Sequence, residues 1–435
     1  VSADAPVNSS EANPPPVRGR AFITRRRFLA LTAGTLAIGG TSYPLACVSP
    51  PPKLKDLALS EAAQALIRAA WEGLDPTKVL DVHCHVLGLG VGGTGCFVHP
   101  DSMSYLSPIR MLKTRFYKGA AGIYDESKAD ALFVERLVDL LEHQSPRVRA
   151  VLLPFDKHHL RDGSEDLDRT EFYVPNEYVL SIAKRWPNLF VPGCSVHPYR
   201  KDALDELSKC HAAGARVCKW LPNAMGMDPA DPACDPFYER LAALGMPLLS
   251  HAGEEQAVHA EEAQELGNPL RLRRALERGV KVVVAHCASL GECKDLDAPV
   301  DAEGEHPRLS CYALFRRLLA EVQWSGRLYG DVSAMTQFNR CEDALPDVLR
   351  SPEIHARLVN GSDYPLPAID PLVRTGLLVD LGLLDAVERE AINELYDYNP
   401  LTFDFVLKRR LRVLADGKAF ALGGAAFETA HVLAT

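Results

Sequence analysis

Two histidines flank one cysteine in Asp81-Val82-His83-Cys84-His85, at the end of an apolar run. In an extended strand, residues two apart point to the same face, so both imidazoles can face one ion while Cys84 packs behind the strand. Four further side chains stand in the same relation to later apolar runs. Lys219 closes Arg216-Val217-Cys218-Lys219-Trp220, His251 follows Pro247-Leu248-Leu249-Ser250, and His286 follows Val282-Val283-Val284-Ala285. Asp363 lies in Asn360-Gly361-Ser362-Asp363-Tyr364-Pro365. Each has an ordinary explanation when taken singly. A histidine after an apolar run can cap a helix or satisfy a core hydrogen bond, and Ser-Asp before a proline-containing bend is turn chemistry. Together they are imidazoles and a carboxylate, the donors that hold zinc and similar divalent ions. A buried lysine is costly unless it is paired or neutralised. Beside metal ions, carboxylation of Lys219 would turn the amine into a bridging anion; pairing with a carboxylate or with substrate is the plainer solution.

These residues need a frame that brings strand ends together. Eight apolar β-type runs supply it: Val79 to His83, Val148 to Leu153, Leu189 to Ser195, Ala215 to Leu221, Met246 to His251, Val280 to His286, Leu328 to Ser333 and Arg357 to Gly361. Amphipathic stretches such as Ala129 to Leu141, Ala203 to Ala213, Pro269 to Arg278 and Tyr312 to Val322 separate them. Strands alternating with helices imply a parallel sheet, and eight such units predict an α/β fold closed as a (β/α)₈ TIM barrel. Active sites of such barrels are built from the C-terminal strand ends, where the polar residues fall. If Val217 and Lys219 point into the barrel, Cys218 and Trp220 pack outward under the helices. The segment Val86 to Glu126 reads as a long insertion after the first strand, a lid or pocket wall. It and Asn223 to Asp235 are the loops expected to set specificity. Arg110, Arg115 and Lys118 in the first loop could meet a substrate carboxylate, but solvated surface charge is the simpler reading.

The chain has 435 residues, 47% of them hydrophobic, and a net charge of −9. Its first 47 residues carry five arginines against Asp4 and Glu11, so the remainder is more acidic than the whole. That argues against nucleic-acid binding, which needs a basic surface. Thr24-Arg25-Arg26-Arg27-Phe28-Leu29 precedes a short, mildly apolar run, the layout of a signal peptide and similar to a twin-arginine signal. The expected organisation is a signal segment over 1–47, a proline-rich linker over 48–58 and the barrel with extra C-terminal helices over 59–435. Partners would be the twin-arginine export machinery and a small-molecule substrate, the location periplasmic, with a lipid anchor at Cys47 as a minority reading and a homo-oligomer left open. The eleven cysteines are scattered and read as small core residues rather than a disulfide framework.

At the strand-end residues the chain resembles the amidohydrolase superfamily, in particular its amidohydrolase-related branch, from about Val79 to Pro365 with following helices through Leu401. The resemblance implies that His83, His85 and Asp363 bind one divalent ion, usually zinc. In one-metal members the strand-five histidine, here His251, completes that site. In two-metal members His251 and His286 hold a second ion and a carboxylated strand-four lysine, here Lys219, bridges the two. It further implies hydrolysis of an amide, lactone or other carboxylic ester by a metal-activated water, with Asp363 orienting and deprotonating the water and His286 helping to stabilise the oxyanion. Related decarboxylases typically lack the strand-four lysine, so Lys219 tilts the expectation toward hydrolysis. Non-oxidative decarboxylation on the same scaffold is the alternative, and a non-catalytic exported binding barrel is the third reading.

Overall fold

All eight predicted runs form strands in the computed structural model, which describes residues 50–258 and 260–433. The barrel strands are β1 (Leu80–His85), β2 (Arg149–Leu153), β3 (Phe190–Pro192), β4 (Cys218–Trp220), β5 (Leu248–Ser250), β6 (Val282–Val284), β7 (Leu328–Asp331) and β8 (Leu358–Val359). They run parallel, β1–β2–β3 in one stretch and β4 through β8 in another. Backbone bonds close both gaps. Cys194 N donates to Val217 O at 2.9 Å and Lys219 N to Cys194 O at 2.7 Å, joining β3 to β4. Val82 N donates to Asn360 O at 2.9 Å and His85 N to Tyr364 O at 3.0 Å, joining β8 back to β1.

The strands are short and apolar on both faces, as expected where helices cover a parallel sheet. Alternation sorts the two faces. Leu80, Val82, Val151, Leu153, Val217, Leu249, Val283, Tyr329 and Val359 fill the barrel interior. Their neighbours Cys218, Trp220, Leu248, Val282, Val284 and Leu328 pack outward against the helices, and Cys84 packs outward in a second cluster with Leu137 and Leu141. Lys219 and Cys84 therefore take the faces that alternation predicts. The C-terminal tail plugs the N-terminal end of the barrel: Val432 and Leu433 join the interior cluster, Lys281 Nζ donates to Val432 O at 2.8 Å, and Ala430 N donates to Lys78 O at 3.1 Å.

The insertion after β1 carries a helix over Pro108–Ala120 and a short strand, Phe97–Val98, that pairs antiparallel with Phe172–Tyr173 from the loop after β2. Three helices follow β8, at Thr375–Asp380, Arg389–Tyr398 and Pro400–Arg410. The reading of the cysteines needs one correction. Eight are free and buried, but Cys293 and Cys311 form a disulfide. The strands Glu292–Lys294 and Arg308–Ser310 pair antiparallel and bring the two sulfurs together across a hairpin that spacing along the chain does not reveal. The proposed signal segment, including Cys47, lies outside the described residues. No helix among the described residues is long and apolar enough to cross a membrane.

Candidate metal centre

β1 delivers His83 and His85 to the C-terminal mouth, with their Nε2 atoms 3.0 Å apart. The turn after β8 brings Asp363 beside them, Oδ1 standing 3.4 Å from each Nε2. His286 Nε2 lies 3.7 Å from Asp363 Oδ2, and His83, His286 and Asp363 offer donor atoms that all lie within 4.8 Å of one another. Bonds of about 2.1 Å to a tetrahedral ion place its ligands about 3.4 Å apart, so the spacing suits a single divalent ion.

A set of buried acceptors fixes how these groups point. His83 Nδ1 faces Asp331 Oδ2 at 2.7 Å, and His286 Nδ1 faces Ser333 Oγ at 2.8 Å. Ser333 Oγ in turn donates to Asp331 Oδ1. With both Nδ1 atoms donating, the Nε2 lone pairs are left for the cavity, the arrangement that orients metal-binding imidazoles. His251 follows the same logic: its Nδ1 stands 3.4 Å from Glu255 Oε2, and its Nε2 is buried without a partner among the described residues. His85 stacks on Phe155 with centroids 4.3 Å apart.

The strand ends are tied to one another as well. Asp81 Oδ1 accepts from His83 N at 3.1 Å and Ser362 N at 2.8 Å, clasping β1 to the Asp363 turn. A Cβ on Gly361 would stand 2.6 Å from the Cβ of His83, so only glycine lets the two approach. His286 and Asp363 hold φ of 56° and 59°, the left-handed region that costs a non-glycine residue about 1–3 kcal/mol and that recurs at functional sites.

Electrostatics follow from burial. It pushes the imidazoles of His83, His85 and His286 well below their ordinary range and that of His251 down to about 4, keeping them in the neutral form that ligates metals. Burial raises the Asp363 carboxyl to about 8 against the pull of Lys219. Lys219, 2% exposed, has its Nζ 2.9 Å from His83 Nε2. Desolvation brings its amine down to about 8 against the pull of Asp363, Asp331 and Glu255.

All six residues singled out from the sequence line one cavity. Its walls are apolar: Leu87 and Tyr117 from the first insertion, Phe155 and Phe172 from the loop after β2, and Val258 after β5. Tyr117 Oη donates to Ala257 O at 2.9 Å and Lys113 Nζ to Gln256 O at 2.5 Å, fastening the insertion over the β5 loop as the expected pocket wall. The loop from Asn223 to Asp235 contributes nothing to the lining. It turns outward, where Asp228 pairs with Arg271 at 2.6 Å and Asp231 with Arg161. Arg110 pairs with Asp101 at 3.2 Å and Lys118 with Glu126; neither lines the cavity. Sequence reasoning missed Asp331, Ser333, Glu255 and Arg340. Asp331 ends β7 and obeys the same strand-end rule as the others; Arg340 lies nine residues further on and carries no such signal.

A family model described as Amidohydrolase matches residues 80–401. No curated protein matches. Among solved structures, the chain is similar to an uncharacterized TIM-barrel protein from Bordetella bronchiseptica, at 15% identity and TM-score 0.42, covering 66% of this chain and 86% of that one. It is also similar to 5-carboxyvanillate decarboxylase from Sphingomonas paucimobilis, at 13% identity and TM-score 0.43, covering 81% and 98%. A third is 4-oxalomesaconate hydratase from Rhodopseudomonas palustris, at 14% identity and TM-score 0.39, covering 74% and 96%. The family match spans most of the chain, and the barrel and its metal-competent strand ends lie within it: this protein belongs to the amidohydrolase family, on whose scaffold it carries a metal-dependent catalytic activity.

Proposed function

We propose that the protein is a one-metal, non-oxidative decarboxylase of a small, flat, unsaturated or aromatic acid. The observation that carries this reading is the convergence of His83, His286 and Asp363 into one donor group beneath the aromatic walls Tyr117, Phe155 and Phe172. His83, His85, His286 and Asp363 would hold the ion, with His251 supplying a further nitrogen; this nitrogen-rich set suits zinc. When bound, the ion supplies Lewis acidity toward the substrate's oxygens.

The protein's own residues do the rest. The aromatic walls orient a planar substrate and keep water from the reacting carbon. The bond to the carboxyl carbon breaks, its electron pair stays on the substrate carbon, and carbon dioxide departs. The carbon then takes a proton from water, and Asp363, held as a carboxylate, would orient that water. His286, held by Ser333, keeps its Nε2 beside Asp363, where both would meet the ion. Nothing is oxidised, so no redox partner is needed.

Hydrolysis of an amide, lactone or ester is the second reading, and Lys219 is the observation in its favour. Its Nζ stands 2.9 Å from His83 Nε2, where a carboxylated side chain would bridge two ions with His251 and His286 on the second. The deciding experiment loads the purified chain with zinc, then assays carbon dioxide release from aromatic and unsaturated acids alongside ester, lactone and amide cleavage, with metal stoichiometry measured in parallel. We expect carbon dioxide release at one equivalent of metal. Ester, lactone or amide turnover at two equivalents, without carbon dioxide, would overturn the decarboxylase reading. Export by the twin-arginine route remains our reading of residues 1–47, and the Cys293–Cys311 disulfide supports it, because disulfides persist in oxidising compartments.

A further inference from the structure

One buried cation in the cavity has no part in the reaction above. Arg340 lies in the loop after β7, is 8% exposed, and lines the cavity with Lys219 and Asp363. A guanidinium carries five donors. Here Nη1 donates to Ser289 Oγ at a long 3.3 Å, and Nε is buried without a partner among the described residues. No carboxylate among the described residues forms an ion pair with it. Glu255, the acid that shares the cavity lining with Asp363, is otherwise engaged. Its Oε1 accepts from Ala257 N at 2.5 Å and Val258 N at 3.0 Å, and its Oε2 faces His251. A buried, unpaired charge is among the most expensive features a fold can carry, and it is retained where a ligand completes it.

Two further observations point to the ligand's chemistry. Apart from the histidines and Tyr117, the ionisable groups lining the cavity are two acids, Glu255 and Asp363, and two bases, Lys219 and Arg340. A divalent ion among them leaves an excess of positive charge that an anionic ligand neutralises. The same cavity is lined by the rings of Tyr117, Phe155 and Phe172, which suit a planar apolar body.

We propose that Arg340 is the anion-binding residue of this pocket, docking a carboxylate of a flat organic acid through its guanidinium fork. The planar guanidinium matches a carboxylate in two parallel hydrogen bonds, which a lysine at the same place does not reproduce. The inference rests on the cavity being the active site, and it holds whether the bond cleaved is carbon–carbon or an ester. It places the substrate among carboxylates rather than neutral esters or amides.

The test compares benzoate with its neutral isostere benzamide, by calorimetry, on the zinc-loaded full chain and on Arg340→Gln and Arg340→Lys. Benzoate is expected to bind the wild type about tenfold more tightly than benzamide, the scale of one charge-assisted hydrogen bond. Arg340→Gln should abolish that preference while leaving benzamide affinity and metal content unchanged. Arg340→Lys, which keeps the charge without the fork, should retain part of it and carries the test if Arg340→Gln does not fold. A role in stability alone would lower the melting temperature of both variants and leave the benzoate-to-benzamide ratio unchanged, and that result would overturn the proposal. So would a wild type that shows no preference for benzoate. Carbon dioxide assays separate this outcome from the decarboxylase reading: an Arg340-dependent preference for benzoate without carbon dioxide release from any acid removes that reading and leaves the anion site standing.

Discussion

His83 is held from both ends. Its Nε2 faces the donor group and its Nδ1 faces Asp331 at 2.7 Å, so the tautomer that exposes the Nε2 lone pair is the one the fold enforces. Asp331 also receives Ser333, which holds His286, and one buried carboxylate thereby orients two imidazoles. Replacing it should act on metal binding without removing a donor. Asp331→Asn is expected to weaken zinc affinity about 10- to 100-fold, the usual effect of losing an outer partner of a metal-bound histidine, read by competition with a chromogenic chelator. His83→Ala, which removes the donor itself, should fall further on the same scale. Equal zinc affinity in Asp331→Asn and wild type would show that the contact does not orient His83.

At the scale of elements, the hairpin after β6 is secured covalently and electrostatically. Its strands pair from Glu292–Lys294 to Arg308–Ser310, Cys293 joins Cys311, and Arg317 on the following helix donates to both oxygens of Asp295, one at 2.8 Å. That guanidinium holds the Asp295 carboxyl down to about 2, against an ordinary 3.8. A depressed acid stabilises the folded state above its unfolded value and loses that contribution as pH falls through its folded one. Asp295→Asn should therefore melt at a lower temperature than wild type at neutral pH, and the difference should shrink below pH 3.8 and be lost as the pH falls through about 2. Because Arg317 is partly exposed, solvent screens the pair and the neutral-pH deficit is a modest one. A deficit that stays constant across that range would assign the effect to the lost hydrogen bonds rather than to charge. Elements also explain why strand ends were readable and loops were not. Each strand end inherits its position from a short apolar run, whereas Asn223–Asp235 turned away from the cavity because Asp228 and Asp231 found Arg271 and Arg161.

The whole molecule separates its two barrel ends. Chemistry occupies the C-terminal mouth, while Val432 and Leu433 close the opposite end against Leu80, Val82 and Val283. Ending the chain after Thr429 removes both apolar side chains and should cost about 3–6 kcal/mol, at the roughly 1.5–3 kcal/mol that burial of each contributes, measured by urea unfolding. Zinc content of the folded fraction should be unchanged, since the donor group of His83, His286 and Asp363 stands at the opposite mouth. Loss of zinc from folded, truncated protein would show that the two ends are coupled.

Some of this was settled along the chain. Eight apolar runs alternating with amphipathic helices imply a parallel sheet covered on both faces, and their number favours a closed barrel. Period-two alternation placed His83, His85 and Lys219 toward the mouth and Cys84, Cys218 and Trp220 behind the strands. His251, His286 and Asp363 were legible because each follows such a run. What tertiary structure alone decided is how these groups are oriented and what faces them. Asp331 meets His83 across 248 residues, Cys293 meets Cys311 across a hairpin, and Arg340 enters the cavity from a loop. Contacts of that kind are set by how strands close and loops fold back, and no local periodicity encodes them. The same holds for the number of ions: residue types allowed one or two, and only the convergence of the donor atoms favours one.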